Sequence, residues 1–250
     1  MTAEGNLLIA KNRDLYRLCD KYQKPQFSTF LNEAEQVVIK DNVGTAMGYE
    51  TCFYGGYRDA MRTVFGVFPE WQGVEKGSFP IKVIRIIKKY KKELTHRDYL
   101  GTVLSKGINR EQVGDILVND DGAYIFILSD IADYIASGID KIANVGVKAL
   151  VEDISDIEIP EPKFQIINTV AASLRLDAVV ASMLNLSRKE ASSLILGEKI
   201  SVNHIPCKNI SHMLKPDDIL SVRGSGRYIF CGVDGKTRSE RLHIMIKKFI

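Results

Sequence analysis

The stretch Ser187-Arg188-Lys189-Glu190 places two cations where an S-x-x-E capping box would start a helix. Cations in a first helical turn oppose the helix dipole and cost roughly a few tenths of a kcal/mol each. A surface selected for stability alone would carry acids there. A phosphate group reverses the argument, because helix N-terminal amides bind anions and basic side chains add charge-assisted hydrogen bonds. Arg175 lies upstream of this stretch, and Lys199, Lys208, Arg223 and Arg227 follow it. Arg175 and Asn203 are expected to shape or assist the surface, and the others to neutralise a polyanion. The competing explanation is ordinary solvated charge at a helix start.

Other constellations offer less chemistry. His96-Arg97-Asp98 has the order of the kinase catalytic loop, but neither a Gly-rich phosphate loop nor Asp-Phe-Gly accompanies it. Thr95 capping a helix that begins at His96 is the expectation there. Gly55-Gly56 is not part of G-x-G-x-x-G and no Walker lysine appears, so a nucleotide cradle is unsupported. Cys19, Cys52, Cys207 and Cys231 lie far apart, with no Cys or His at metal-ligand spacing, so no metal or cofactor is expected. Tyr124 and Phe126 alternate on a strand and could stack on bases or pack in a core. Lys82 to Lys92, "KVIRIIKKYKK", is a basic run read as a solvated face or an auxiliary phosphate contact.

The elements that position these residues fall into three segments, for which we expect an α+β fold of three small domains. Residues 1–79 read as a mixed α/β domain. "LYRLCDKY" and "STFLNEAEQVV" have helical spacing, Ser28 is a candidate cap, and a Gly- and aromatic-rich strand and turn surround Gly55-Gly56. Residues 80–160 read β-α-β-β-α-β, the split unit of ferredoxin-like folds. Asp121-Gly122 signals the hairpin, and Ser129 or Asp130 sits near the cap of the second helix. "IPEPK" then breaks the chain. Residues 163–250 begin with a strand or an extended approach, "QIINTVAAS". Leu176, Val179, Val180, Met183 and Leu184 follow on one helix face, and Ala191, Leu194 and Ile195 on the next. Gly197 is the expected left-handed stop, and short strands then lead to a longer pair joined around Asp234-Gly235 and a polar loop.

Charge divides along the same boundary. Residues 1–162 hold 20 Lys and Arg against 24 Asp and Glu, net −4, whereas residues 163–250 hold 14 against 7, net +7. A basic unit on a slightly acidic body points to a polyanionic partner. The spread of the cysteines fits a reducing cytoplasm. Neither a signal peptide nor a membrane-spanning run of about 18 apolar residues is expected. The sequence sets no oligomeric state.

The run "RLDAVVASMLNLSRKEASSLILGEKISVNHIPCKNISHMLKPDDILSV" resembles the S-four RNA-binding domain. That module is shared by a small-subunit ribosomal protein, many pseudouridine synthases and bacterial tyrosyl-tRNA synthetases. The likeness rests on Arg175-Leu176-Asp177, Ser187-Arg188, Ala191, Ile195 and Gly197. It continues through Val202-Asn203 and Lys215-Pro216-Asp217-Asp218-Ile219. His204 departs from the family's usual Gly in the turn after Asn. "FYGGYRDAMR" (Phe53 to Arg62), "HRDYLGTVLSKGINREQVGDILV" (His96 to Val118) and "GSGR" (Gly224 to Arg227) extend the resemblance to the YlmH family over nearly the whole chain.

The resemblance implies a cytoplasmic, non-catalytic binder of structured RNA that holds backbone and shape. Its partners would be the large ribosomal subunit, with its rRNA, and peptidyl-tRNA, in rescue or quality control of stalled translation. "RLD" also occurs at the catalytic aspartate of one pseudouridine synthase class. Here Asp177 opens an amphipathic helix and no large catalytic domain follows it. Two other readings stay open: an RNA-modifying enzyme with its chemistry in the first two segments, and a protein-interaction or cell-division adaptor.

Overall fold

The structure is a computed structural model and describes residues 3–58, 60–159, 164–203 and 205–249. The expected break at Pro160 to Lys163 and the His204 departure lie outside the described residues. The chain divides into two compact units, Met1–Pro160 and Glu161–Ile250.

The first unit opens with helix α1 (Ala3–Tyr22), strand β1 (Gln26–Leu31) and helix α2 (Glu33–Asn42), followed by β2 (Tyr49–Tyr54) and β3 (Thr63–Pro69). The three strands form an antiparallel sheet in the order β1-β3-β2. Every residue of the central strand β3 is buried. Phe65 and Val67 pack under α1 and α2 with Leu15, Cys19, Leu31 and Ile39. Val64 and Phe68 face the other way. The expected helix in "STFLNEAEQVV" begins later than its apolar spacing suggests, because "STFL" pairs with β3 as strand. Its cap is Asn32, in a reciprocal box with Glu35, and not Ser28. The Ser28 hydroxyl instead accepts from Phe65 N at 2.8 Å.

The unit continues through β4 (Ile81–Lys88), α3 (His96–Leu104), β5 (Val113–Asn119), β6 (Gly122–Leu128), α4 (Ala132–Ser137), β7 (Lys141–Ile142) and β8 (Val145–Glu152). The expected β-α-β-β-α-β order is present, with the short β7 added before the last strand. The sheet is antiparallel in the order β5-β6-β4-β8-β7. One face packs Ile84, Ile86, Ile125 and Ile127 against Tyr99 and Val103 of α3 and Ala132 and Ile135 of α4. The other face, with Ile81, Val83, Phe126 and Leu128, joins Phe30, Val64, Phe68 and Phe79 in one aromatic cluster. Burying each such phenylalanine contributes roughly 1.5–3 kcal/mol. Phe126 is therefore core, and Tyr124 is half-buried against the same cluster. The surface on which RNA-recognition folds stack bases is covered here by the N-terminal segment.

Two local expectations shift. The hairpin turn is Asp120-Asp121, closed by Asn119 Oδ1 accepting from Asp121 N and Gly122 N at 3.0 and 2.7 Å. Gly122 is already in the strand, and a Cβ there would collide with the carbonyl of Ile86. The helix α4 is entered through a 3-10 turn, Ser129–Ile131, and neither Ser129 nor Asp130 caps it.

The second unit comprises β9 (Phe164–Ala171), α5 (Leu176–Leu184), α6 (Arg188–Leu196), β10 (Ile200–Val202), β11 (Ile205–Pro206), β12 (Asp218–Val222), β13 (Gly226–Lys236) and β14 (Leu242–Phe249). The sheet order is β11-β10-β12-β13-β14-β9. Leu176, Val179, Val180, Ala191 and Ile195 from the helices pack onto Leu220, Tyr228, Phe230, Ile244 and Ile246 of one sheet face. Gly197 is not left-handed: its φ is −80°, and Glu198 takes the positive φ of 54°. The strand β13 runs through Asp234-Gly235, so the turn to β14 comes later, with Thr237 N donating to Arg241 O at 2.8 Å.

Candidate nucleic-acid interface

The start of α5 is held by backbone. Leu176 N donates to His212 O at 2.8 Å and Asp177 N to Ile210 O at 3.2 Å. This buries the Asp177 side chain, whose relative exposure is 5%. Asn185 ends α5 in the left-handed region (φ 54°), where Asn is tolerated better than most residues. The chain then turns back into the expected Ser187–Glu190 capping box. Glu190 N donates to Ser187 Oγ at 3.2 Å, and Ser187 N to Glu190 Oε2 at 2.8 Å.

That turn brings Arg188 against Asp177. Arg188 Nη2 donates to Asp177 Oδ2 at 2.5 Å, and Arg175 donates to both carboxylate oxygens at 3.2 and 3.3 Å. Burial pushes the Asp177 carboxyl up. The hydrogen bonds and charges of Arg175 and Arg188 together outweigh burial and hold the carboxyl below its ordinary value. Two cations share one anion, so the cluster keeps one net positive charge. Arg188 and Arg175 remain 49% and 37% exposed. Lys189, in the same first turn, is exposed.

The eight residues expected at the interface do not form one surface. Arg175, Arg188 and Lys189 gather at the helix starts. Lys199 and Arg223 sit side by side at the other end of α6, where Arg223 N donates to Lys199 O at 2.8 Å, and both are exposed. Lys208 pairs with Glu198. Asn203, at φ 47°, is a bracket between strands: Nδ2 donates to Asp218 Oδ1 at 2.7 Å and Oδ1 accepts from Ile219 N at 2.9 Å. Arg227 precedes the buried Tyr228 on β13, so its side chain points to the sheet face opposite the helices. Its guanidinium lies over the Phe249 ring at 5.0 Å.

In the first unit, Asp98 of "HRD" is committed to its helix start. Thr95 N and Thr95 Oγ1 both donate to Asp98 Oδ2 at 2.7 Å, as a cap and not as a catalytic base. The basic run from Lys82 is partly paired, Lys82 with Asp153 and Arg85 with Glu152. Gly55-Gly56-Tyr57 is a structural lock. Tyr57 stacks on Phe126 at 5.0 Å and donates to the buried Asp115 at 2.8 Å, and Asp115 also accepts from Met61 N and Arg62 N. A Cβ at Gly56 would strike the Phe126 ring. Arg62 staples Phe30 O and Val113 O at 3.0 and 2.9 Å.

The acceptor role of Asp177 and the outward aromatics Phe164 and Phe249 lie beyond the sequence expectations. The alternation in "LHIMIKKF" was the available signal for Phe249.

Two short helices on one face of a small sheet, with arginines clustered at their starts, define an RNA-binding module of the S-four kind. Residues 174–220 match the family described as "S4 domain". Residues 75–158 match the family described as "Putative RNA-binding domain in YlmH". The chain is 29% identical over 234 residues to the Ribosome-associated protein quality control protein P2 of Bacillus subtilis (strain 168), covering 93% of this chain and 90% of that one. Among solved structures it is similar in fold to the Cell division protein ylmH from Streptococcus pneumoniae. The TM-score there is 0.52 and the identity 24%, over 63% of this chain and 97% of that one.

Proposed function

We propose that this protein is a cytoplasmic, non-catalytic RNA-binding protein that grips structured RNA by backbone and shape. Its site of action is the large ribosomal subunit, with rRNA and peptidyl-tRNA, in quality control of stalled translation. The observation that carries this reading is the Arg175–Asp177–Arg188 cluster at the N-terminus of α6. The buried carboxylate fixes both guanidinia, so less side-chain freedom is lost when they meet phosphate. Lys189 and the amides of the first turn add to the same anion site. The ribosomal setting is supported by the name of the B. subtilis relative. Residues 1–79 and 80–160, which share the cluster of Phe30, Val64 and Phe126, act as one body that orients the basic module of residues 163–250. Asp177 is engaged by two arginines and serves as an anchor, not as a base for RNA modification.

The test is binding of the full-length protein to hairpin RNA across a salt series. The double variant Arg188→Gln, Lys189→Gln should bind more weakly, with a salt slope reduced by about one for each phosphate contact removed. Unchanged affinity and slope would sink the reading. Crosslinking in cells should recover large-subunit rRNA and tRNA above background.

A further inference from the structure

We propose that the second unit carries another RNA-contacting surface, an outward row across one end of its six-stranded sheet that takes an unpaired RNA strand. The helices α5 and α6 cover one face of that sheet. The opposite face is apolar and half-exposed at Ile219, Ile229 and Met245, and Ile166 on it is 59% exposed.

At one end of this face, Arg227, Phe249 and Phe164 follow one another on β13, β14 and β9, and Lys199 and Arg223, which directly precede β10 and follow β12, continue the line. Arg223 N reaches Lys199 O, Ser221 pairs with Arg227, and Phe249 pairs with Phe164. The Arg227 guanidinium lies 5.0 Å from the Phe249 ring centroid, and the Phe249 and Phe164 centroids are 4.9 Å apart. Lys247 Nζ sits 5.6 Å from the Phe164 centroid. With neighbouring strands about 4.8 Å apart, the row is about 20 Å long. Among the described residues, no acid occupies an outward position of β9, β10, β12 or β14, or of β13 from Gly226 to Ile229.

Charge complementarity selects the occupant. A row of cations with no acid among its described outward neighbours, ending in adjacent aromatic rings, suits a strand whose phosphates are tracked while its bases stack. A protein partner selected by apolar area alone would not call for that charge. A duplex keeps its bases stacked inside and could use only the cations. This inference rests on the RNA-binding reading above and adds to it the class of RNA and a second surface.

The experiment compares a blunt hairpin RNA with the same hairpin bearing an unpaired tail of about eight nucleotides, a length within the span of such platforms. The wild-type protein should bind the tailed RNA about tenfold more tightly, the share expected from one stacked base. Lys247→Gln with Phe249→Leu keeps the apolar packing and removes a charge and a ring. It should lose most of the tail's gain and keep its affinity for the blunt hairpin. Arg223→Gln with Arg227→Gln should flatten the salt dependence of the tail's contribution. Three results would overturn the inference: no gain from the tail in the wild type, a gain retained by both variants, or equal weakening for both RNAs. Failure of the wild type to bind either RNA would overturn the RNA-binding reading as well.

Discussion

Arg188 donates from Nη2 to Oδ2 of Asp177 at 2.5 Å, joining the first turns of two consecutive helices through a carboxylate that is almost wholly buried. The bond sets the angle at which α6 presents its N-terminus. It also explains how two cations can stand in that turn: one of them has its counter-ion eleven residues upstream.

Asp177→Ala should lower the stability of the second unit by about 1–2 kcal/mol. The cost stays below that of a fully buried ion pair because both guanidinia reach solvent. The variant should also weaken hairpin RNA binding, since Arg175 and Arg188 lose their common anchor. Thermal melting and binding titration check the two effects separately. An unchanged melting temperature would remove the anchoring role.

Acid should act through the same carboxyl. The folded Asp177 lies below its ordinary value, so the unfolded chain binds more protons as pH falls through the ordinary carboxylate range. The stabilisation is present above that range and is lost as pH drops toward the folded value. Glu190, held down by the hydroxyl and amide of Ser187, adds the same sign. Asp177→Asn should flatten the low-pH end of a stability profile taken by denaturant melts.

Asn203 was expected at the RNA surface, but its side chain ties β10 to β12. Asn203→Ala should cost about 2 kcal/mol, from two lost hydrogen bonds and a left-handed residue without an Asn side chain. Chemical denaturation of the full chain measures it. A stable protein with weakened RNA binding would restore the surface role.

The Gly-Gly-Tyr motif should behave as packing. Tyr57→Phe removes one donor to Asp115 and should cost about 1 kcal/mol. Asp115→Ala strands three donors and should cost about 3 kcal/mol. Gly56→Ala should cost at least as much as the tyrosine change, because its Cβ would lie 2.5 Å from the ring of the fully buried Phe126 and Gly56 has a φ of +101°. Neither Tyr57→Phe nor Asp115→Ala should alter the salt dependence of RNA binding in the protein that remains folded.

Much of the fold was legible because its signals are local. The Ser187 box, the Thr95 cap and the alternation of the middle strands each depend on residues a few positions apart. What escaped depends on distant meetings. Asp177 finds Arg188 only through the turn at Asn185. The face on which Arg227 lies follows from register with β12 and β14, which charge counts do not encode. Phe126 and Tyr124 alternate as a stacking platform would, and only the arrival of Phe30, Val64 and Phe68 on the same cluster makes Phe126 core. The stop after α6 shows a subtler failure: Gly197 was the obvious left-handed residue, yet Glu198 accepts that conformation instead.

The aromatic cluster has a consequence for dissecting the molecule. A fragment begun at residue 75, where the matched family region starts, would leave behind Phe30, Val64, Phe68 and the Tyr57 lock. It would keep the strands they cover. Val83, Phe126 and Leu128 would then face water as one contiguous oily patch, of the kind that drives self-association. Such a fragment should scatter light and bind hydrophobic dyes where the intact chain does not. The stretch with the recognisable signature is thus not a free-standing part: its solubility is supplied by the less distinctive sequence in front of it.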